Sequence, residues 1–311
     1  MFAPAASRLI LRTSDPHLGP LPGPVALAAS GGALWVAGGG RGSSAVLRFA
    51  GGAWSRCEDV PANGLRSVLA ASKGEAWVAG EGGFLAWTDD GGEGFETIET
   101  RTRGCLFGLS RDAAGAIWVS GDEGLLLRSS DGVTFARVEL GIGERIFRVV
   151  PGDDGVGWLV AEHTLGRLDL GSGRLETLLH DASAVINDVA SSGGGCWLAV
   201  GDAGRLWRST DGTRFEAVES GTSADLARAI SWQGEFWVTT SEGSLRRSAD
   251  GLAWREQPVA GLEGLRLTSM LPFQGGLLVS GWRYEGQRSV GGLAFVGPGE
   301  DAPLAPGSAQ P

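Results

Sequence analysis

This chain of 311 residues is short of the side chains on which most active sites depend. It has one tyrosine, Tyr284, and three histidines, His17, His163 and His180, that lack metal-ligand spacing. No HExxH, CxxC, GxSxG or phosphate-loop pattern is present, so neither a metal nor a cofactor is expected. The three cysteines, Cys57, Cys105 and Cys196, are odd in number and far apart, which argues against a disulfide framework and for free thiols in a reducing compartment. No run approaches the ~18 apolar residues of a membrane-spanning helix. Residues Met1–Ser14 lack a basic region followed by an apolar core, so a cytoplasmic location and no membrane partner are expected. A formal net charge of -10 leaves no basic field for a phosphate backbone, which argues against nucleic acid as a partner. Long apolar stretches of helical period are missing as well.

Glycine, by contrast, is abundant at 53 residues, without a Gly-X-Y period and beside 42% hydrophobic residues, which points to frequent tight turns in a packed protein. Those turns recur regularly. A strand-core aromatic falls at Trp35, Trp77, Trp118, Trp158, Trp197 and Trp237, with Leu278 in seventh place, at intervals of 39–42 residues. A polar turn falls at Gly51, Asp90, Asp131, Gly171, Asp211, Asp250 and Gly291, at intervals of 39–41 residues. Each unit holds four short strand candidates; in the second they are Leu65–Ala71, Glu75–Ala79, Phe84–Thr88 and Phe95–Glu99. Four strands in a repeat of ~40 residues predict propeller blades. The expectation is an all-β, seven-bladed β-propeller with four antiparallel strands per blade, forming one domain over residues 23–299. A ring must close or leave open sheet edges. Leu9–Asp15 copies the strand and turn of Leu206–Asp211, so Arg8–Thr13 is expected to close the ring as an outer strand of the seventh blade. Residues 1–22 would then be closing strand and linker, with Pro16–Pro24 bridging into blade one, and the tail at 300–311 would be disordered.

Four polar turns share a box: Thr88-Asp89-Asp90-Gly91-Gly92-Glu93-Gly94-Phe95, Ser129-Ser130-Asp131-Gly132-Val133-Thr134-Phe135, Ser209-Thr210-Asp211-Gly212-Thr213-Arg214-Phe215 and Ser248-Ala249-Asp250-Gly251-Leu252-Ala253-Trp254. The Asp carboxylate and the Ser or Thr hydroxyl can accept bonds from turn amides, while Gly permits positive φ. This resembles the Asp-box of BNR-repeat propellers. Trp-Val-Ala-Gly followed by Leu-x-Arg-Ser-x-Asp-Gly looks most like the photosystem II assembly factor (Ycf48-like) group of seven-bladed propellers. That resemblance covers nearly the whole chain. It implies a structural role for Asp90, Asp131, Asp211 and Asp250, and a non-enzymatic part in protein assembly. Blades one, four and seven depart from the box at Phe49-Ala50-Gly51, Asp169-Leu170-Gly171 and Ser289-Val290-Gly291, which is expected to weaken those turns.

No catalytic set emerges. Sialidases, which also contain Asp-boxes, need by that resemblance an arginine cluster, a tyrosine nucleophile and acidic partners. Here Trp282, Arg283 and Tyr284, in an irregular loop, are the only candidates of that kind. A paired-carboxylate hydrolase stays open, although Asp153-Asp154 and Asp89-Asp90 fall in predicted turns. Acidic residues follow the core aromatic in five successive blades, at Glu81, Asp122, Glu162, Asp202 and Glu242, with Glu285 as a sixth member. They suit exposed turns, or they form an acidic face that steers a partner with a basic surface. On the innermost strands, Arg66, Arg148, Asp188, Arg228 and Arg266 form a candidate charged channel mouth, or pair with one another. Most tryptophans are core; Trp87, Trp207, Trp232 and Trp282 are left over for a sugar-stacking surface. The function expected is a protein-interaction or assembly scaffold without catalysis. The alternative is a carbohydrate-active propeller, either lectin or BNR-type glycosidase.

Overall fold

The computed structural model describes residues 7–12, 23–40, 43–57, 60, 64–152, 154–286 and 288–297. The expectations for residues 13–22, His17, Asp153 and the 300–311 tail fall outside them. The described chain forms seven four-stranded antiparallel sheets. Blade one is β2 to β5 (Pro24–Ser30, Ala33–Gly40, Ser43–Ala50, Ala53–Cys57) and blade two β6 to β9 (Leu65–Ala70, Ala76–Gly80, Leu85–Thr88, Glu96–Thr97). Blade three is β10 to β13 (Leu106–Arg111, Ile117–Gly121, Leu126–Ser129, Ala136–Arg137) and blade four β14 to β17 (Ile146–Pro151, Val156–Ala161, Thr164–Asp169, Leu175–His180). Blade five is β18 to β21 (Ile186–Ser191, Trp197–Gly201, Leu206–Ser209, Glu216–Ala217) and blade six β22 to β25 (Leu226–Trp232, Glu235–Thr240, Ser244–Ser248, Arg255–Pro258). Blade seven contains β26 to β28 (Arg266–Phe273, Gly276–Glu285, Arg288–Val296) and, outermost, β1 (Ser7–Arg12), paired antiparallel with β28. The first strand of each blade touches the first strands of both neighbouring blades, so these strands form the inner ring.

Each second strand reads as a nearly unbroken apolar run, because both faces of the blade are covered by neighbours. Ala76–Gly80 and Ile117–Gly121 are buried throughout. The core is accordingly divided into seven apolar clusters, one at each interface between adjacent blades. The cluster between blades seven and one takes Ile10 and Leu11 from β1, which ties the closing strand into the core. Trp35, Trp118 and Trp237 are among the largest fully buried side chains.

Three readings of the repeat need correction. Trp197 pairs with Ser209, whereas Trp118 pairs with Arg128; the tryptophan position of blade five is held by Leu198, opposite Arg208. The ends of that strand tolerate the slip because Trp197 still finds an aromatic neighbour, Trp158, at 6.0 Å. Gly291 is no turn: it lies inside β28, opposite Trp282. The supposed irregular loop at Trp282–Tyr284 is strand as well. β27 continues to Glu285 and pairs with β28 to Arg288, making a hairpin longer than its counterparts.

The box turns are clasps. Asp131 Oδ1 accepts the amides of Val133 (2.9 Å) and Thr134 (2.7 Å) and the Ser129 hydroxyl, while Ser129 Oγ accepts the Gly132 amide. Asp211 and Asp250 repeat this arrangement, and Asp90 takes three turn amides and the Thr88 hydroxyl. Blade four rebuilds its turn rather than losing it, with Asp169 accepting the amides of Gly171 and Ser172.

Candidate binding site at the channel mouth

Every first strand contains a β-bulge near its start. In blade two Leu65 pairs with Gly80 and Ser67 with Ala79, which leaves Arg66 outside the ladder. The same skip leaves out Phe107, Phe147, Asn187, Thr268 and, in blade one, Val25. In blade six it takes Ala227 and Arg228 against a single residue. A bulge breaks the alternation of side chains and re-aims one of them. The consequence is convergence: Arg66, Phe107, Phe147, Asn187, Ala227, Arg228 and Thr268 all line one cavity of about 600 Å³ at the end of the inner ring. Arg266, and Trp282, Arg283 and Tyr284 from the long β27–β28 hairpin, complete its wall.

Two groups that the sequence kept apart are therefore one site. Of the expected mouth residues, Arg66, Arg228 and Arg266 line the cavity, joined by the whole Trp282–Tyr284 group. Arg148 and Asp188 lie one residue past the bulge and belong to the wall beneath. Asp188 is fully buried and accepts Arg148 Nη1 (3.1 Å) and the amides of Val189 (2.9 Å) and Ala229 (3.1 Å). Sequence reasoning missed Phe107, Phe147, Asn187, Ala227 and Thr268. Their signal was positional: each directly follows an apolar residue at or next to the start of its strand, Leu106, Ile146, Ile186, Leu226 or Leu267.

The cavity is cationic and aromatic. Its lining holds four arginines, two phenylalanines, a tryptophan and a tyrosine, and no carboxylate. Phe107 and Phe147 meet edge to face at 5.8 Å, and Trp282 and Tyr284 do so at 4.9 Å. Tyr284 is 44% exposed, and Trp282 Nε1 is buried with no hydrogen-bond partner among the described residues. Arg66 is ion-paired with Glu81, Arg266 with Asp225 (3.4 Å) and Arg283 with Glu285 (2.6 Å). The Arg228 guanidinium makes no hydrogen bond or ion pair among the described residues; its backbone amide bonds to Thr239 Oγ1 at 3.0 Å. Desolvation, reinforced by Arg148 and opposed by Asp188, lowers its guanidinium to about 10, so it remains charged at neutral pH.

The five acidic turn residues do sit at this end of the ring. The backbone amides of Glu81, Asp122, Glu162 and Asp202 bond to the segments that enter the neighbouring first strands. Their carboxylates, however, are mostly engaged within the protein. Glu81 is held by Arg66, Glu162 by Arg145, Asp122 by the Cys105 amide (2.7 Å) and Asp202 by Asn187 Nδ2 (2.7 Å). Arg145 keeps Glu162 below the usual carboxylate range. Glu242 is exposed, and its carboxylate makes no hydrogen bond or ion pair among the described residues. Beside Asp122, burial pushes the Cys105 thiol up to about 11. The carboxylate-clasped turns lie at the opposite end of the strands, where the Gly91 amide bonds to Gly74 O in the turn between β6 and β7. Among the described residues no group of His, Cys, Asp and Glu is arranged to hold a metal ion.

No family model matches this chain, and no curated protein does. Solved structures do. Ycf48 bound to a D1 peptide is similar at TM-score 0.69 and 14% identity, over 95% of this chain and 96% of that one. Ycf48 from Cyanidioschyzon merolae is similar at TM-score 0.67 and 18% identity, over 94% and 99%. The extracellular domain of BT4673 from B. thetaiotaomicron is similar at TM-score 0.67 and 15% identity, over 93% of this chain but 43% of that one. What these likenesses establish is the fold, a seven-bladed β-propeller like that of Ycf48.

Proposed function

We propose that this propeller is a non-catalytic protein-interaction module, a scaffold that takes a segment of another protein into the mouth of its central channel. The observation that carries the reading is the bulge ring. It repeats the same backbone irregularity around the ring yet places different side chains in the cavity, with arginines on one part and a Phe107–Phe147 pair on another. A pocket with apolar walls and a few convergent polar groups is the usual form of a recognition site. The unpaired Arg228 and the paired Arg66, Arg266 and Arg283 favour a segment carrying negative charge, and the aromatics favour an apolar side chain beside it. The solved complex of a similarly folded protein, Ycf48, with a D1 peptide supports a peptide as the occupant. The acidic turn residues then act mainly within the protein, holding Arg66, Arg145, the Cys105 amide and Asn187, with a basic patch on the partner as a secondary contact at Glu242. The carboxylates nearest the cavity, Glu81, Asp225 and Glu285, are each engaged by a lining arginine, which supports binding over hydrolysis, since general acid–base work needs such a group free to meet the substrate. Three free cysteines support a reducing, cytoplasmic setting, which fractionation of the source cell would check.

The test is affinity isolation with the wild-type chain beside Arg228→Ala, followed by titration of the recovered partner. Arg228→Ala should weaken binding by at least about tenfold, the scale of a lost charge-assisted contact. Equal binding by the two chains, or glycan binding and turnover in place of protein capture, would sink the reading in favour of a carbohydrate-active propeller.

A further inference from the structure

At the opposite end of the blades, the box of one blade roofs the core aromatic of the blade before it. Gly92 of blade two sits against Trp35, and Gly132 of blade three accepts Trp77 Nε1 at 3.0 Å. Blade four has no such box to place over Trp118 of blade three. Its turn folds around Asp169 instead, and Trp118 Nε1 turns back to Asp112 at 2.9 Å. The missing roof leaves a cavity of about 440 Å³ between blades three and four. One wall is Arg128, Ser130, Asp131 and Thr134; apolar Val138 and Leu170 flank it.

The arginine next to that gap is stranded. In blades one and five the equivalent arginine reaches the following blade. Arg48 bonds to Lys73 O (2.9 Å from Nη2), and Arg208 bonds to Asp250 O (2.8 Å from Nε). In blade six the equivalent, Arg247, is met within its own blade by Glu235 at 3.2 Å. Arg128 stacks over Trp118 at 5.4 Å, but among the described residues its buried Nε has no partner, and the rest of its guanidinium makes no hydrogen bond or ion pair. A buried donor left unmade is costly. In blades one and five the acceptor that satisfies it is a peptide carbonyl.

We propose that this inter-blade groove is a second binding site, and that its occupant is an extended peptide segment of a partner protein. A backbone carbonyl of the segment accepts from Arg128, as the Lys73 and Asp250 carbonyls do in the other blades. Asp131, whose clasp uses Oδ1, offers Oδ2 to a backbone N–H. A guanidinium beside a carboxylate matches the paired acceptor and donor of an amide, and it disfavours a simple anion or cation. Val138 and Leu170 supply the apolar contact for one aliphatic side chain. A sugar would also offer donors and acceptors, but Trp118 is only 1% exposed and lies under Arg128, so no aromatic face is open for stacking.

The experiment is selection of a phage-displayed random linear peptide library on the full chain, with counter-selection on Arg128→Met. Enriched peptides should bind the wild type and Arg208→Met alike and lose at least about tenfold on Arg128→Met. They should bind Arg228→Ala unchanged, which separates this site from the channel mouth. In the free protein Arg128→Met should melt at or above the wild-type temperature, since it removes an orphaned donor, whereas Arg208→Met should melt lower. The proposal is overturned if no Arg128-dependent peptide is enriched. It is equally overturned if the selected peptides bind Arg128→Met as well as wild type, if Arg128 is required for a glycan instead, or if Arg128→Met and Arg208→Met destabilise alike.

Discussion

Asp131 is exposed and looks in the sequence like a reactive carboxylate, yet its oxygen is committed to holding a turn. The amides of Thr134 and Val133, followed by the Ser129 hydroxyl, hold its pKa well below 3.8; the amides of Arg214 and Thr213 do the same for Asp211. Asp90, Asp169 and Asp250 are lowered from 3.8 as well, so the effect recurs around the ring. A carboxyl whose folded pKa is depressed adds stability above its unfolded value and loses it as the pH falls through the folded one. The melting temperature should therefore be flat above about pH 5 and fall steadily below about pH 4. In Asp131→Asn that acid-side slope should be shallower than in the wild type, as followed by circular dichroism. A slope equal to wild type would show that the clasp adds nothing. Asp188 is the buried counterpart, with the guanidinium of Arg148 and two amides on its oxygens. Asp188→Ala would leave that charge and those donors uncompensated in the wall below the mouth. It should cost about 3–5 kcal/mol in urea unfolding, the scale for breaking a buried pair.

At the level of strands and turns, the period was legible and the local irregularities were not. Tryptophan spacing and alternating turns suffice to count blades, because burial on both faces forces the same apolar second strand each time. The bulges left no such mark. Arg66, Phe107, Phe147, Asn187 and Thr268 share no chemistry, so only their place after an apolar anchor relates them, and that relation appears once pairing is known. Trp197 misled for the same reason, since a one-residue slip keeps the average period while changing which side chain faces the neighbouring blade. The turn between second and third strands is the stricter element. In blade three Gly124 has φ +67°, and a Cβ there would lie 1.9 Å from Ile142 O. Gly124→Ala must shift backbone as well as strain it, and should destabilise by about 1–3 kcal/mol. Because that turn also places Asp122 against Cys105, the thiol should react faster with an alkylating reagent in the variant; unchanged stability and reactivity would refute the coupling.

The whole ring depends on a contact between its two ends. Blade seven takes β26, β27 and β28 from the C-terminal part of the chain and β1 from the N-terminal part, with Ser7 opposite Val296 and Arg12 opposite Gly292. Ser7 Oγ also accepts the Ala260 amide at 2.9 Å, which fastens the strand to the end of blade six. Sequence reading could reach this closure because an open ring leaves an unpaired edge, a general liability that chains avoid. Removing residues 1–12 would expose the backbone edge of β28 and take Ile10 and Leu11 out of the cluster between blades seven and one. Each buried aliphatic side chain contributes roughly 1.5–3 kcal/mol, so their loss alone is about 3–6 kcal/mol before the ladder bonds are counted. That is comparable to the whole stability of many domains, about 5–15 kcal/mol. The truncated chain should therefore melt well below the full chain and associate with rising concentration in light scattering, as exposed β28 edges pair between molecules. Adding the 1–12 peptide in excess should restore a monomer, since it refills both the ladder and the cluster. A truncated chain that stays monomeric and melts like the full one would mean that blades one to six and three strands of the seventh hold the ring without help from its N-terminal strand.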